Sequence, residues 1–245
     1  MKKQLLLFCM VLAWVPALMG QKGAESRLVK TPLQATVNMR EIKEDFHPLM
    51  VRLEAPFPGG NSEKAWLAAE KERLMARYQP PALNAQKVDS TAPSPWMGDN
   101  FATNHVINGV PNDNDMAISN GGKIVSVINS NIYMHDEYGA TLMANVSLDA
   151  WSAALNLNGD KFDPRALYDP IHDRFIIACL NGFLNTTSYV VVGFSQTNDP
   201  TGTWNLYALP GDPNLDTLWT DYPIMALTEH ELFLTGNLLY NNQPW

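Results

Sequence analysis

The chain has 245 residues, of which 46% are hydrophobic and 17% charged, and its formal net charge is -8. Those values suit one or two globular domains and exclude a disordered or fibrous polypeptide. They also exclude a nucleic-acid surface: after Arg77 the only basic side chains are Lys87, Lys123, Lys161, Arg165 and Arg174, too sparse to neutralise a run of phosphates. A cation or a neutral ligand fits such a surface better than a polyanion.

Residues 1–20 read as an export signal. Lys2 and Lys3 give the positive start, Leu5 to Val15 an apolar run too short to span a bilayer stably, and Pro16 to Gly20 a small-residue site for cleavage before Gln21. Cys9 does not read as a lipid attachment site, because few residues precede it and Met10 to Val15 continue the apolar run past it. Removing the signal leaves no transmembrane segment and one cysteine, Cys179, so the exported chain has no internal disulfide. Cys179 lies in an apolar run and reads as a small buried hydrophobe.

Residues 21–95 form an N-terminal region. Leu49 to Leu53 is strand-like, and Asn61 or Ser62 can cap a helix over about residues 63–78, which Gln79-Pro80-Pro81 stops. Leu67, Leu74 and Tyr78 share one face of that helix, and a pro-region or a helix docked on the main domain is the expected role. Pro80 to Pro95 reads as a Pro-rich extended linker.

Residues 96–245 are all-β in pattern, with short apolar runs between Asp/Pro/Gly/Asn turns. Met116-Ala117-Ile118 leads through Asn120-Gly121-Gly122 to Ile124–Asn129. Ala166-Leu167-Tyr168 leads through Asp169–Asp173 to Phe175–Asn181, and Met225-Ala226-Leu227 leads through Thr228–Glu231 to Leu232–Asn237. The closing asparagines 129, 181 and 237 recur at intervals of 52 and 56 residues. Asn131–His135 and Tyr189–Ser195 supply third strands; Ala144–Leu148 and Trp204–Leu209 supply fourth ones. Units of this length with about four strands are what propeller blades show. The expected fold is therefore a partial β-propeller of about two and a half blades. The sequence stops at Trp245, just after the opening hairpin of a third unit, so C-terminal blades are expected to be missing.

Several pieces resemble exported Bacteroidetes proteins with sialidase-like β-propellers, a group with no established activity. They are Pro111–Asp115, Asp163–Pro170 with Asp173-Arg174-Phe175, Ser195–Trp204, Asp221-Tyr222-Pro223 and Thr235-Gly236-Asn237. The resemblance spans roughly Phe101 to Trp245. It implies a sialidase-like blade, a secreted or outer-membrane surface location, and association with type IX secretion. The sorting domain such proteins often carry is not in this sequence. Ser195–Trp204 also resembles a loose Asp-box turn, with Asp199 accepting backbone N–H groups, Gly202 supplying a positive φ, Thr203 following, and Trp204 plugging the space between strands.

In a propeller the innermost strands start near one mouth of the channel, so Asn112, Asp113, Asp115, Asp163 and Asp221 would converge there. Each aspartate could simply cap its own turn. As a set, Asp113, Asp115, Asp163 and Asp221 have the oxygen chemistry of a Ca²⁺ site. Asp113, Asp163, Arg165, Asp221 and Tyr222 are the candidate ligand-binding residues, and a carboxylate pair could serve glycosidic hydrolysis. The sialidase resemblance implies three arginines around a substrate carboxylate, a tyrosine nucleophile and a glutamate partner. Here only Arg165 and Arg174 are available, Tyr168 and Tyr222 are the nearest tyrosines, and no glutamate stands out, so no catalytic residue is assigned. The histidines show no metal-ligand spacing, and His172 and His230 fall in equivalent hairpin turns with an exposed polar role. Trp96, Trp151 and Trp219 could stack on sugars but are expected to pack between blades. The expected function is a non-catalytic surface or secreted binding and adhesion module for a glycan or protein. The competing classes are a glycan-processing hydrolase and a structural spacer in a larger surface protein.

Overall fold

A computed structural model of the protein describes residues 30–43, 60–77, 97–104, 111–215 and 217–240. The chain divides into two units, Met1–Thr31 and Pro32–Trp245, and every element named below belongs to the second. The export signal, the Leu49–Leu53 piece, Tyr78, the Pro-rich linker and Trp96 lie outside the described residues.

Among the described residues three antiparallel sheets carry the fold, and none of them closes on itself. The first runs β2 (Asp115–Ile118), β3 (Lys123–Ile128), β4 (Asn131–Asp136) and β5 (Val146–Ser147) in sequence order. The second runs β6 (Lys161–Asp169), β7 (Arg174–Asn181), β8 (Tyr189–Ser195) and β9 (Thr203–Pro210), and then adds β1 (Ala35–Asn38) outside β9. The third is the hairpin β10 (Leu218–Leu227) with β11 (Leu232–Tyr240). The first strands lie side by side, β2 against β6 and β6 against β10.

Alternation along β7 explains why the sheets stack. Side chains of a strand point to opposite faces in turn. Phe175, Ile177 and Cys179 enter a core shared with Val125, Val127, Ile132 and Met134 of the first sheet. Ile176 and Ala178 instead meet Met225, Leu227, Leu232 and Leu234 of the hairpin. The second sheet is thus covered on both faces, and β7 reads in sequence as an unbroken apolar run for that reason. Each such side chain taken out of water is worth about 1.5–3 kcal/mol. Burial also pushes the Cys179 thiol up to about 12, which leaves it an inert core group.

Local chemistry sets the remaining elements. The expected fourth strand over residues 144–148 is only Val146–Ser147, because the Ser147 hydroxyl accepts from Ala150 N–H and starts α2 (Leu148–Ser152). Trp151 of that helix lies edge-on to Trp204, ring centroids 6.0 Å apart, and both are fully buried. A Cβ on Gly193 of β8 would stand 2.3 Å from the Trp151 ring, so only glycine permits this approach. Trp219 is buried beside Phe162 and Phe183. Trp151 and Trp219 are therefore packing residues, not sugar platforms.

Helix α1 (Gly60–Arg77) starts three residues before the expected point. Leu67 and Leu74 are 41% and 54% exposed, so that face is not docked against the sheets. Arg73 donates from Nε to Glu70 at 2.7 Å on the same helix. The sequence reading missed β1 altogether. Gln34 to Asn38 follow the β9 edge, and Met39, fully buried, plugs the main core below it.

Candidate functional site

The expected rim residues come from the starts of β2, β6 and β10, and the register shows why they meet. Asp115 pairs with Val127, Arg165 with Ala178 and Ile224 with Thr235, so these three occupy equivalent places in their sheets. Two residues earlier stand Asp113, Asp163 and Tyr222, with φ of +36°, +49° and +50°. In β6 and β10 that residue sits in a bulge and is followed by proline, Pro164 or Pro223. Aspartate tolerates the left-handed region, whereas a tyrosine there is strained. Bulges of this kind re-aim side chains at the start of a strand.

Side chains of one sheet bind the backbone of the next. Asn129 donates from Nδ2 to Asp113 Oδ2 at 3.0 Å, and its Oδ1 accepts from Asp163 N–H at 2.7 Å. Asp163 Oδ2 in turn accepts from Tyr222 N–H at 3.3 Å. Asp115 Oδ2 accepts from Ala166 N–H at 3.1 Å, and Arg165, its counterpart one sheet on, donates from Nε to Pro223 O at 2.8 Å. The guanidinium carbon of Arg165 stands 5.0 Å from the centre of the Tyr222 ring. The one position held by Asp115 in β2 and by Arg165 in β6 thus reaches the backbone of the next first strand in both cases, at Ala166 and at Pro223.

The carboxyl groups of Asp113, Asp163 and Asp221 cluster at this junction. Asp163 is 8% exposed, and burial is the first reason its carboxyl is raised to about 7. The Asp221 charge, a shared hydrogen bond with Asp113 and the Asp113 charge push the same way, against the Tyr222 N–H. Burial also raises Asp221, with the Asp113 charge behind it, while the Tyr222 N–H and the hydrogen bond from Asp163 oppose that rise. Burial and like charge thus favour the protonated form at this junction, most strongly at Asp163.

Asp115 is not part of that cluster. It lines an open depression of about 240 Å³ together with Arg165, Leu167, Tyr222, Ile224 and Met225. Among the described residues no three His, Cys, Asp or Glu side chains are placed to hold a metal ion. The four aspartates expected as Ca²⁺ ligands are divided between the cluster around Asp163 and the depression.

The other candidates lie elsewhere. Arg174 pairs with Asp169, four strand positions from Arg165 and so about 13 Å away along β6. It stacks on Phe194, 4.8 Å to the ring centre, and donates from Nε to Asp169 Oδ2 at 3.1 Å. Tyr168 donates its hydroxyl to Asp173 at the same hairpin. The two arginines and two tyrosines available for a sialidase-like site are therefore split, Arg165 with Tyr222 and Arg174 near Tyr168. Exposed His172 sits in that turn with Nδ1 2.8 Å from Asp169 Oδ2, and His230 is exposed in the β10–β11 turn.

The Ser195–Trp204 segment is a packed turn. Asp199 Oδ1 accepts from the Thr201 N–H and hydroxyl, Gly202 N–H reaches Asp199 O, and Trp204 donates from Nε1 to Pro200 O at 2.8 Å. Thr203 opens β9, and Arg40, just after β1, pairs with the Asp199 carboxylate. The expected positive φ at Gly202 is a correction, since it is not among the glycines with positive φ. What glycine provides there is room, because a Cβ would stand 3.3 Å from Asp199 O.

Sequence reading named Arg165, Tyr222 and the aspartates but missed Asn129, Leu167, Ile224 and Met225. Asn129 was visible only as a repeat marker. The recurrence itself misleads by one residue: Asn129 and Asn237 are equivalent in register, but Asn181 sits one place further on. There its Nδ2 donates to Asn158 O and Thr187 O and ties a loop instead. Comparison with known proteins gives no family model, no curated protein and no solved structure that matches this chain.

Proposed function

We propose that the three sheets are successive blades of a sialidase-like propeller, and that the protein is an exported, non-catalytic module of the cell surface or its surroundings. Its ligand, a glycan or a protein segment, docks at the depression beside Arg165 and Tyr222. One observation carries this reading. The first strands of three consecutive sheets are joined through side chains at one equivalent position, Asp115 to Ala166 and Arg165 to Pro223, and the depression opens beside that seam. Repetition of a strand start around an axis is how propellers build a shared mouth. The order of motifs resembling exported Bacteroidetes propeller proteins, and the export signal in residues 1–20, supply the surface location.

A hydrolase reading draws on the Asp163 carboxyl, whose proton is held near neutral pH beside Asp221 as a general acid would require. Burial favours the binding reading over it, since Asp163 is 8% exposed and already accepts the Tyr222 N–H. The experiment is binding of the purified protein to a glycan array and to a panel of purified surface proteins. Tyr222→Ala and Arg165→Gln should each weaken the captured ligand at least about tenfold, with no reducing sugar released. Undiminished binding by both variants, or steady release of sugar, would overturn the proposal.

A further inference from the structure

We infer that the depression beside Arg165 and Tyr222 accepts a small zwitterion with an apolar side chain, of the class of a free aliphatic α-amino acid. The inference rests on the depression being a ligand site, and is independent of whether the sheets complete a propeller.

Opposite charges line this one hollow, Asp115 and Arg165, and no ion pair within 4.0 Å joins either to any described residue. Arg165 is already oriented: its Nε donates to Pro223 O and its guanidinium carbon lies over the Tyr222 ring. Its two amino groups have no hydrogen-bond partner among the described residues, and together they present the fork that takes a carboxylate. Asp115 uses one lone pair on each oxygen, for Met116 N–H and Ala166 N–H, and a carboxylate has about four such sites. It can still accept from an ammonium group.

Charge then selects the ligand. An anion alone would face Asp115 and the neighbouring aspartates, and a cation alone would face Arg165. A dipolar ligand satisfies both and changes the net charge of the site by nothing. Leu167 follows Arg165 by two positions and shares its face of β6, and Ile224 and Met225 of β10 complete the wall. That wall suits an aliphatic side chain. The volume of about 240 Å³ lies below the roughly 300–1,000 Å³ of drug-sized sites, which matches a single amino acid.

The test is a titration followed by NMR chemical shifts with L-leucine, N-acetyl-L-leucine and L-leucinamide. Leucine should saturate with a Kd of about 1 mM or below. Loss of the ammonium in N-acetyl-leucine, or of the carboxylate in leucinamide, should each weaken binding at least about tenfold. Arg165→Gln should abolish it, but Arg165 also ties β6 to β10. Ile224→Trp therefore serves as the second variant: it fills the hollow from an exposed position, leaves the Pro223 bond alone, and should also abolish binding while the thermal midpoint is kept. Equal binding of the three compounds, absence of saturation by leucine, or full binding to a folded Ile224→Trp protein would each overturn the inference. If a glycan or protein is captured but leucine is not, only the zwitterion fails. If leucine binds and nothing larger does, the inference stands and the adhesion reading fails.

Discussion

The second sheet and the β10–β11 hairpin have similar strand lengths but opposite surroundings. In β7 every residue from Phe175 to Asn181 is buried, while along β11 Phe233, Gly236, Asn237 and Tyr240 are exposed. Both are apolar runs in the sequence, so composition alone does not separate them. What separates them is the number of covered faces. The second sheet has the first on one side and the hairpin on the other, whereas the hairpin has one described neighbour and leaves Ile224 47% and Phe233 54% exposed. Cohesion in this fold comes from stacking sheets, and a strand contributes according to how many sheets touch it.

Substitutions can break that contrast directly. Phe175→Ala removes a ring that is fully buried in the core shared by two sheets, and should cost about 3–5 kcal/mol in urea denaturation. Gly193→Val tests the closest approach in the same sheet: its side chain would run into Trp151 and Leu206, with a cost of about 1–3 kcal/mol or more. An unchanged midpoint for either would mean the second sheet is not the cohesive layer.

The junction between sheet and hairpin has a pH signature. The Asp163 carboxyl lies at about 7 in the fold and at 3.8 in a free chain. Below about pH 4 both states hold the proton. Between about pH 4 and 7 the unfolded chain has lost it and the folded chain keeps it, so stability falls as pH rises and stays low above about 7. Asp163→Asn removes that penalty while keeping an acceptor for Tyr222 N–H. At pH 8 it should raise stability by on the order of 1–2 kcal/mol, with no gain near pH 4. Thermal midpoints of the two proteins at both pH values decide the matter, and a gain independent of pH would refute it.

The smallest effect belongs to the hairpin surface. Phe233→Ala should change stability by less than about 0.5 kcal/mol, against several for Phe175→Ala. Amide exchange should follow the same order, with β11 opening before β7. Equal protection in the two strands would show that the hairpin's outer face is covered in solution.

Much of this was legible in the residues. Ten of the eleven named strands, β5 in shortened form, follow from local patterning, because an apolar run bounded by Asp, Pro, Gly and Asn marks where a strand lies; Tyr189–Ser195 matches β8 residue for residue. The Asp113, Asp163 and Asp221 cluster was legible for the same reason, since repeat position places all three at strand starts. Long-range events were not. Four residues at Ala35–Asn38 look like any short strand until Trp204 and Leu206 are known to lie opposite. The one-residue offset of Asn181 and the bulges at Asp163 and Tyr222 follow from backbone registry, which alternation of residue types does not encode. The depression was half legible: Arg165 and Tyr222 carry chemistry that draws notice, while Leu167, Ile224 and Met225 look like any strand residues.

The β1–β9 pairing has a consequence for how the chain is assembled. Thr36 meets Asn205 across 169 positions, so a segment emerging early in synthesis must stay unpaired until β9 has been made. Residues 35–38 then act as a clasp fastened only once β9 exists, and mutations that hasten premature strand exchange by this segment should lower the yield of folded protein without altering the finished molecule.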